Sequence, residues 1–324
     1  MGLAHIIQNA WNSQAKWLKL LRPLSFLYGV AFNYNKQQYL LGKKPIYTAS
    51  VPVMVVGNIT IGGSGKTPLL IALVKYLQKQ NIKVGVISRG YGGEGPFPTL
   101  VEGKTVLQVG DEPALIVQKT QVPMAVGANR QEAIELLINH YQLDLILSDD
   151  GLQHWALARQ IEWIVLDTQR GLGSQRLIPE GFLREPISKL KNSTVIEHNP
   201  NSTASLNMHL ALGKPYVLHQ SMDEFDPLQC FHVVVGIGYP ERFYKSLNSL
   251  GLNHLIKHEF EDHHIYTPQD ISFNDDLPII TTEKDAVKLK DLYCNHKIWV
   301  LPVDEILSDA CYTHLQQQLY RFLV

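Results

Sequence analysis

The sequence predicts an α/β chain: a mostly parallel sheet, a smaller C-terminal α/β unit, and an amphipathic helix in front of both. Three observations predict it. Short apolar and β-branched runs alternate with segments of helical spacing from residue 51 to residue 198. The first run, VPVMVVG, enters a glycine-rich loop and then a helix in VPVMVVGNITIGGSGKTPLLIALVKYL. After the polar stretch NPNSTASLNMH, strand–helix alternation resumes in FHVVVGIGYPERFYKSLNSLG and PIITTEKDAVKLK.

At 324 residues, with 45% hydrophobic and 18% charged side chains, the chain is globular and long enough for two domains. Its cysteines, Cys230, Cys294 and Cys311, lie outside any CxxC spacing, which excludes a zinc or disulfide framework. The net charge of −1 hides an asymmetry: the first 93 residues carry +11, the remainder 18 basic against 30 acidic residues. A basic half suggests an anionic partner, whether nucleotide, phospholipid surface or nucleic acid. No RNA- or DNA-binding module is recognisable.

Residues 3–21 read as one amphipathic helix. Leu3, Ile6, Ile7, Ala10, Trp11, Gln14, Trp17, Leu18 and Leu21 share a face, with Lys16 and Lys19 opposite. Arg22-Pro23 ends it, and an apolar patch, LSFLYGVAF, follows. No uninterrupted span is long enough to cross a bilayer. The helix suits a membrane interface, and equally a helix packed on the domain behind it.

The strand–loop–helix at residues 51–77 is a phosphate-loop pattern, and it predicts a P-loop NTPase-type core. Gly62, Gly63 and Gly65 let the backbone turn its N–H groups toward a phosphate, helped by the helix N-terminus. Thr60 and Ser64 belong to the same loop. Lys66 reaches the β/γ-phosphates and the Thr67 hydroxyl holds Mg²⁺. One departure stands out: Thr60 occupies the place of the motif's first glycine. A second strand ends in SRGYGG, and Gly110-Asp111-Glu112-Pro113 opens a helix. Arg130 opens another. LDLILSDDGLQH then sets Asp149 and Asp150 after a buried strand, where a Mg²⁺-binding acid belongs.

After the strand at 161–167 comes a long polar connection, GLGSQRLIPEGFLREPISKLK, with Arg176 and Arg184. It is a solvated loop or an anion- or sugar-contacting surface. In Phe260-Glu261-Asp262-His263-His264, a metal site lacks further ligands at recognisable spacing. A histidine facing the first domain across a cleft is the better reading.

Taken in order, GNITIGGSGKTP, SRGYGG, GDEP, GANR, DDGLQH, RLIPEGFLREP, F-E-D-H-H and TTEKDAVK resemble the tetraacyldisaccharide 4′-kinases, the lipid A 4′-kinases of Gram-negative bacteria. The resemblance implies transfer of the γ-phosphate of ATP, with Mg²⁺, to the 4′-hydroxyl of a tetraacyldisaccharide 1-phosphate, giving lipid IVA. It implies Asp111 as base paired with His263, and Lys66 on the nucleotide. Thr67, Asp149 and Asp150 fall at the metal, and Glu112, Arg130, Gln153, His154 and Arg184 at the acceptor. It implies three parts: residues 1–45 as the membrane-associated segment, 46–212 as the kinase core, and 213–324 as the unit closing over the acceptor. The partners implied are the acylated lipid and the anionic inner-membrane surface, without nucleic acid, at its cytoplasmic face as a peripheral protein. This chain departs from the family's usual loop at Gly173-Ser174-Gln175 and Glu180-Gly181-Phe182. The rival function is a membrane-associated P-loop ATPase acting as a conformational switch, distinguished by whether an added acceptor is phosphorylated. A guanine-specificity motif is missing, since Thr282-Glu283-Lys284-Asp285 sets its lysine one place late.

Overall fold

The computed structural model describes residues 3–219 and 224–322. Eight strands follow one another through the first two thirds: β1 (Val53–Gly57), β2 (Val84–Ser88), β3 (Thr99–Leu100), β4 (Met124–Val126), β5 (Leu145–Asp149), β6 (Ile161–Asp167), β7 (Thr194–His198) and β8 (Asn207–Leu212). Five more form a second sheet: β9 (Tyr216–Val217), β10 (Phe231–Val235), β11 (Leu255–Glu259), β12 (Ile279–Thr282) and β13 (Ile298–Leu301). The last, β14 (Val303–Leu307), returns to the first.

The first sheet has the order β14-β8-β7-β6-β1-β5-β2-β4-β3, parallel except at its two edges. Strand β1 sits between β5 and β6, so the loop leaving it emerges at the centre of the sheet's carboxyl edge. All five residues of β1 are buried. Alternation sends Met54 and Val56 to one face and Val53 and Val55 to the other, as a sheet covered on both sides requires. The second sheet, β11-β10-β12-β13-β9, is parallel apart from β9.

The N-terminal segment differs from the single helix expected over 3–21. Helix α1 (Leu3–Asn12) stops where Gln14 takes a φ of 50°, and a 3₁₀ turn covers Lys16–Leu21. Arg22-Pro23 begins the next helix, α2 (Arg22–Leu40), instead of ending the first. The physical reason is that proline in a first helical turn lacks only an N–H that has no helical partner there.

Helices α3 (Lys66–Lys79) and α5 (Asp111–Thr120), the latter after a short α4 (Val106–Val109), pack on one face of the first sheet; α6 (Arg130–His140) packs on the other. The second sheet carries α7 (Pro240–Ser249) and α8 (Glu283–Leu289). The terminal helix α9 (Asp309–Leu319) lies on the first sheet: Cys311, Leu315 and Leu319, spaced four apart, are buried in its core. The expected C-terminal unit, 213–324, therefore describes the second sheet only for residues 216–301. The chain crosses out beside Gly213 and back at Pro302, which touch: the Gly213 N–H donates to the Pro302 carbonyl at 3.0 Å. Across the junction, Lys119 on α5 bonds Glu283 of α8 and Glu305 of β14, each at 2.9 Å.

Candidate active site

The loop between β1 and α3 takes its left-handed turns at Gly62 (φ 91°) and Gly65 (φ 94°), so Thr60 needs no glycine. Thr60 instead joins the loop to its surroundings. Its hydroxyl accepts from Asn58 at 3.2 Å, and its carbonyl accepts from Arg184 at 3.2 Å. Gly65 must lack a side chain for a second reason, because a Cβ there would fall 2.5 Å from the His198 ring. Lys66 Nζ donates to Asn58 Oδ1 at 3.3 Å and lies 3.6 Å from Asp150.

At the end of β5 the two acids have opposite surroundings. Asp149 is buried; its Oδ2 accepts from the Ser88 hydroxyl at 3.3 Å, and its Oδ1 has no hydrogen-bond partner among the described residues. Burial, then the charges of Glu112 and Asp150, push its carboxyl well above the usual range, against the pull of Lys66 and Arg130. Asp150, in a left-handed conformation (φ 48°), accepts a forked pair from Arg184 at 2.7 and 2.9 Å. Burial alone would raise it, but Lys66 and Arg184 hold it at about 2.

Asp111 and His263 meet across the boundary between the sheets. His263 Nδ1 donates to Asp111 at 2.9 and 3.0 Å. Asp111, at the first turn of α5, also accepts the Glu112 N–H at 2.9 Å. Lys284 of α8 stands 3.5 Å from it and bonds Asp262 at 3.0 Å. Burial would raise the Asp111 carboxyl, yet His263 and Lys284 bring it to about 2; the same hydrogen bond raises His263 against its desolvation. The neighbouring His264 turns to Asp270 at 3.2 Å, so the two histidines serve different partners and not one shared metal.

The five residues expected at the acceptor divide. Glu112 is half-buried, 3.8 Å from Lys284, and His154 lines a cavity of about 340 Å³ with Tyr47, Asn129 and Gln131. Arg130 is buried and donates to the Gly127 and Asp149 carbonyls. Gln153 bonds Glu185 and the Asn58 carbonyl. Arg184 spends its fork on Asp150 and also bonds Asn58 Oδ1. These last three hold the site's walls.

Sequence reasoning missed Asn58, Ser88, Arg89, Tyr91 and Lys284 as individuals. Arg89 is exposed at the end of β2, forms no ion pair among the described residues, and has Tyr91 two places on against the His263 ring (5.2 Å between centroids). The signal was present, since SRGYGG follows a strand adjacent to the acidic pair.

A phosphate loop at the centre of the sheet, a buried acid ending the adjacent strand and a second α/β layer supplying a histidine define a P-loop phosphotransferase site. The chain belongs to the tetraacyldisaccharide-1-P 4′-kinase family, LpxK, which matches residues 17–320. It is 45% identical to the tetraacyldisaccharide 4′-kinase of Psychrobacter cryohalolentis, over 98% of this chain and 97% of that one. With the enzyme of the same name from Pseudomonas syringae pv. tomato it shares 40% identity over 99% of each. The solved structure of LpxK from Aquifex aeolicus in complex with ATP superposes with a TM-score of 0.79 at 25% identity, covering 95% of this chain and 99% of that one.

Proposed function

We propose that this protein transfers the γ-phosphate of ATP to the 4′-hydroxyl of a tetraacyldisaccharide 1-phosphate, forming lipid IVA in lipid A biosynthesis. The observation that carries the reading is the Asp111–His263 pair, assembled from two sheets beside a complete phosphate loop. A bare ATPase has no need of an oriented carboxylate for an alcohol.

The loop amides and Lys66 bind the β/γ-phosphates and neutralise charge as it redistributes, so that most of the acceleration is positioning plus electrostatics. Asp111 takes the sugar hydroxyl proton late, when P–O bond formation has made it acidic. His263 holds the carboxylate in line. Buried Asp149, its carboxyl raised chiefly by burial and its Oδ1 without a hydrogen-bond partner among the described residues, fits a divalent cation held together with Thr67. Mg²⁺ there would supply charge neutralisation of the transferring phosphoryl group. Asp150, already paired with Arg184 and Lys66, is better suited to hold the loop than to take the metal directly.

No helix among the described residues is long and apolar enough to cross a membrane. Helix α2 and the turn before it expose Leu20, Leu24, Phe26, Leu27, Val30 and Tyr34, with Lys16, Lys19 and Arg22 beside them. That surface suits the interface of an anionic membrane, where the acylated acceptor resides, on the cytoplasmic side of the inner membrane. Residues 1–45 then form the lipid-facing segment, 46–212 with β14 and α9 the kinase core, and 216–301 the unit that brings His263. The test is incubation with ATP, Mg²⁺ and a tetraacyldisaccharide 1-phosphate in detergent. One added phosphate by mass spectrometry is expected, and ATP hydrolysis without acceptor phosphorylation would favour the switch.

A further inference from the structure

On the side of the phosphate loop away from Asp149, a further contact joins the two sheets. Arg242, in the first turns of α7, donates through Nη2 to Oδ2 of Asp167, the last residue of β6. Asp167 is buried, and its other oxygen accepts the Gln169 and Arg170 N–H groups, each at 3.1 Å. That turn aims Arg170 at the phosphate loop. Arg170 Nη1 donates to the Ile61 carbonyl at 2.6 Å, and a Cβ on Gly62 would fall 2.8 Å from the same nitrogen. The guanidinium also rests over the Phe182 ring, 4.5 Å from its centroid. Asp167 is thus flanked by two arginines, one from each side of the junction, and among the described residues only Arg242 bonds its free oxygen.

We propose that Arg242 is a positioning residue for nucleotide binding: by neutralising Asp167 it leaves Arg170 free to pin the phosphate loop through the Ile61 carbonyl. A buried carboxylate stripped of its partner is costly and draws the nearest cation. Without Arg242 that cation is Arg170, whose turn begins at Asp167 itself. Pulled toward Asp167, it releases Ile61 and Gly62, and the loop that receives the phosphates loosens. The second sheet therefore contributes to ATP affinity through the fit of α7 against β6, separately from His263. This rests on the reading of the phosphate loop as the ATP site.

The arrangement predicts suppression. ATP affinity is measured by calorimetry without lipid acceptor, on the full chain. Arg242→Gln should weaken ATP by about fivefold to tenfold, the worth of one net hydrogen bond. Asp167→Asn alone should change it by less than about threefold, because an asparagine Oδ1 still caps the turn and no longer attracts Arg170. The double variant should bind ATP more tightly than Arg242→Gln, since the competing charge is gone. Arg242→Lys should recover part of the loss. In turnover, KM for ATP should follow the binding losses while kcat at saturating ATP stays close to wild type. A double variant as weak as Arg242→Gln, or weaker, overturns the proposal. So does unchanged ATP affinity in a folded Arg242→Gln protein, which would make the contact structural only. Wild-type protein that binds ATP but phosphorylates no lipid acceptor would reject the proposed function and leave this measurement readable.

Discussion

His263 donates to Asp111 over a separation of 152 residues, from a loop of the second sheet to the first turn of α5. A carboxylate held at about 2 is a weak base for a sugar hydroxyl, so its worth lies in orientation and in receiving the proton late. Residues that act as one unit are non-additive. Asp111→Ala and His263→Ala should each lower kcat by on the order of 10²–10⁴, with the double variant little worse than the poorer single. Losses that multiply in steady-state assays would separate the two roles. The link is also a pH-dependent contribution to folding. The His263 side, raised in the fold, stabilises fully below about pH 6.5 and is lost as pH rises through its folded value. The Asp111 side is present above about pH 4 and is lost as pH falls toward 2.

Arg184 ties Asp150 to the phosphate loop through Asn58 and the Thr60 carbonyl. Arg184→Lys keeps the charge and loses the planar fork. KM for ATP should therefore rise about tenfold or more, with KM for the lipid changed much less. A rise in KM for the lipid alone would return Arg184 to the acceptor.

Helix α2 is fastened to the long loop from its inner side: Arg22 bonds Glu180 at 2.8 Å, Ser25 bonds the Leu177 carbonyl and Tyr28 bonds the Arg184 carbonyl. Its outer side leaves Phe26 and Leu27 exposed. Replacing both with serine should weaken sedimentation with anionic vesicles, while leaving turnover of detergent-dispersed acceptor within about threefold, because surface changes seldom disturb the fold. Unchanged vesicle binding would make the helix purely a packing element.

The core sheet and the phosphate loop were legible because their signals are local: a β-branched run, glycines at turn positions and an acid ending a strand. The acidic pair was legible as a pair, but its division of labour was not, since that depends on Arg184 arriving from a loop 34 residues away. The break at Gln14 and the helix beginning at Arg22 were misread because apolar spacing continues through both. The return of β14 and α9 to the first sheet was hidden for a different reason. An apolar strand followed by a helix carries no mark of which sheet it joins, and only the turn at Pro302 redirects the chain.

Asp149 and Asp150 are adjacent, yet among the described residues only Asp150 is paired directly with cations, while burial dominates at Asp149. Its raised carboxyl means that ionising it opposes folding. The unfolded chain gives up this proton near pH 4, and the folded chain holds it to higher pH. Stability contributed at this position is therefore greatest at low pH, and falls as pH rises from about 4 to the raised folded value. Asp149→Asn removes the ionisation. In metal-free buffer the variant should melt higher than wild type at pH 8, with the advantage shrinking as pH approaches 5. Activity should fall by at least about 10²-fold, as expected when a group stabilising transition-state charge is removed. Mg²⁺ with a non-hydrolysable ATP analogue should raise the melting temperature of wild type more than that of Asp149→Asn, because binding to the folded state alone stabilises by mass action. Asp150→Asn should behave in the opposite way. It removes a carboxylate held at about 2 by Lys66 and Arg184, so it should melt lower than wild type at neutral pH. If Asp150→Asn abolishes the Mg²⁺ effect and Asp149→Asn keeps it, the metal belongs to Asp150 and the assignment of the two acids is reversed.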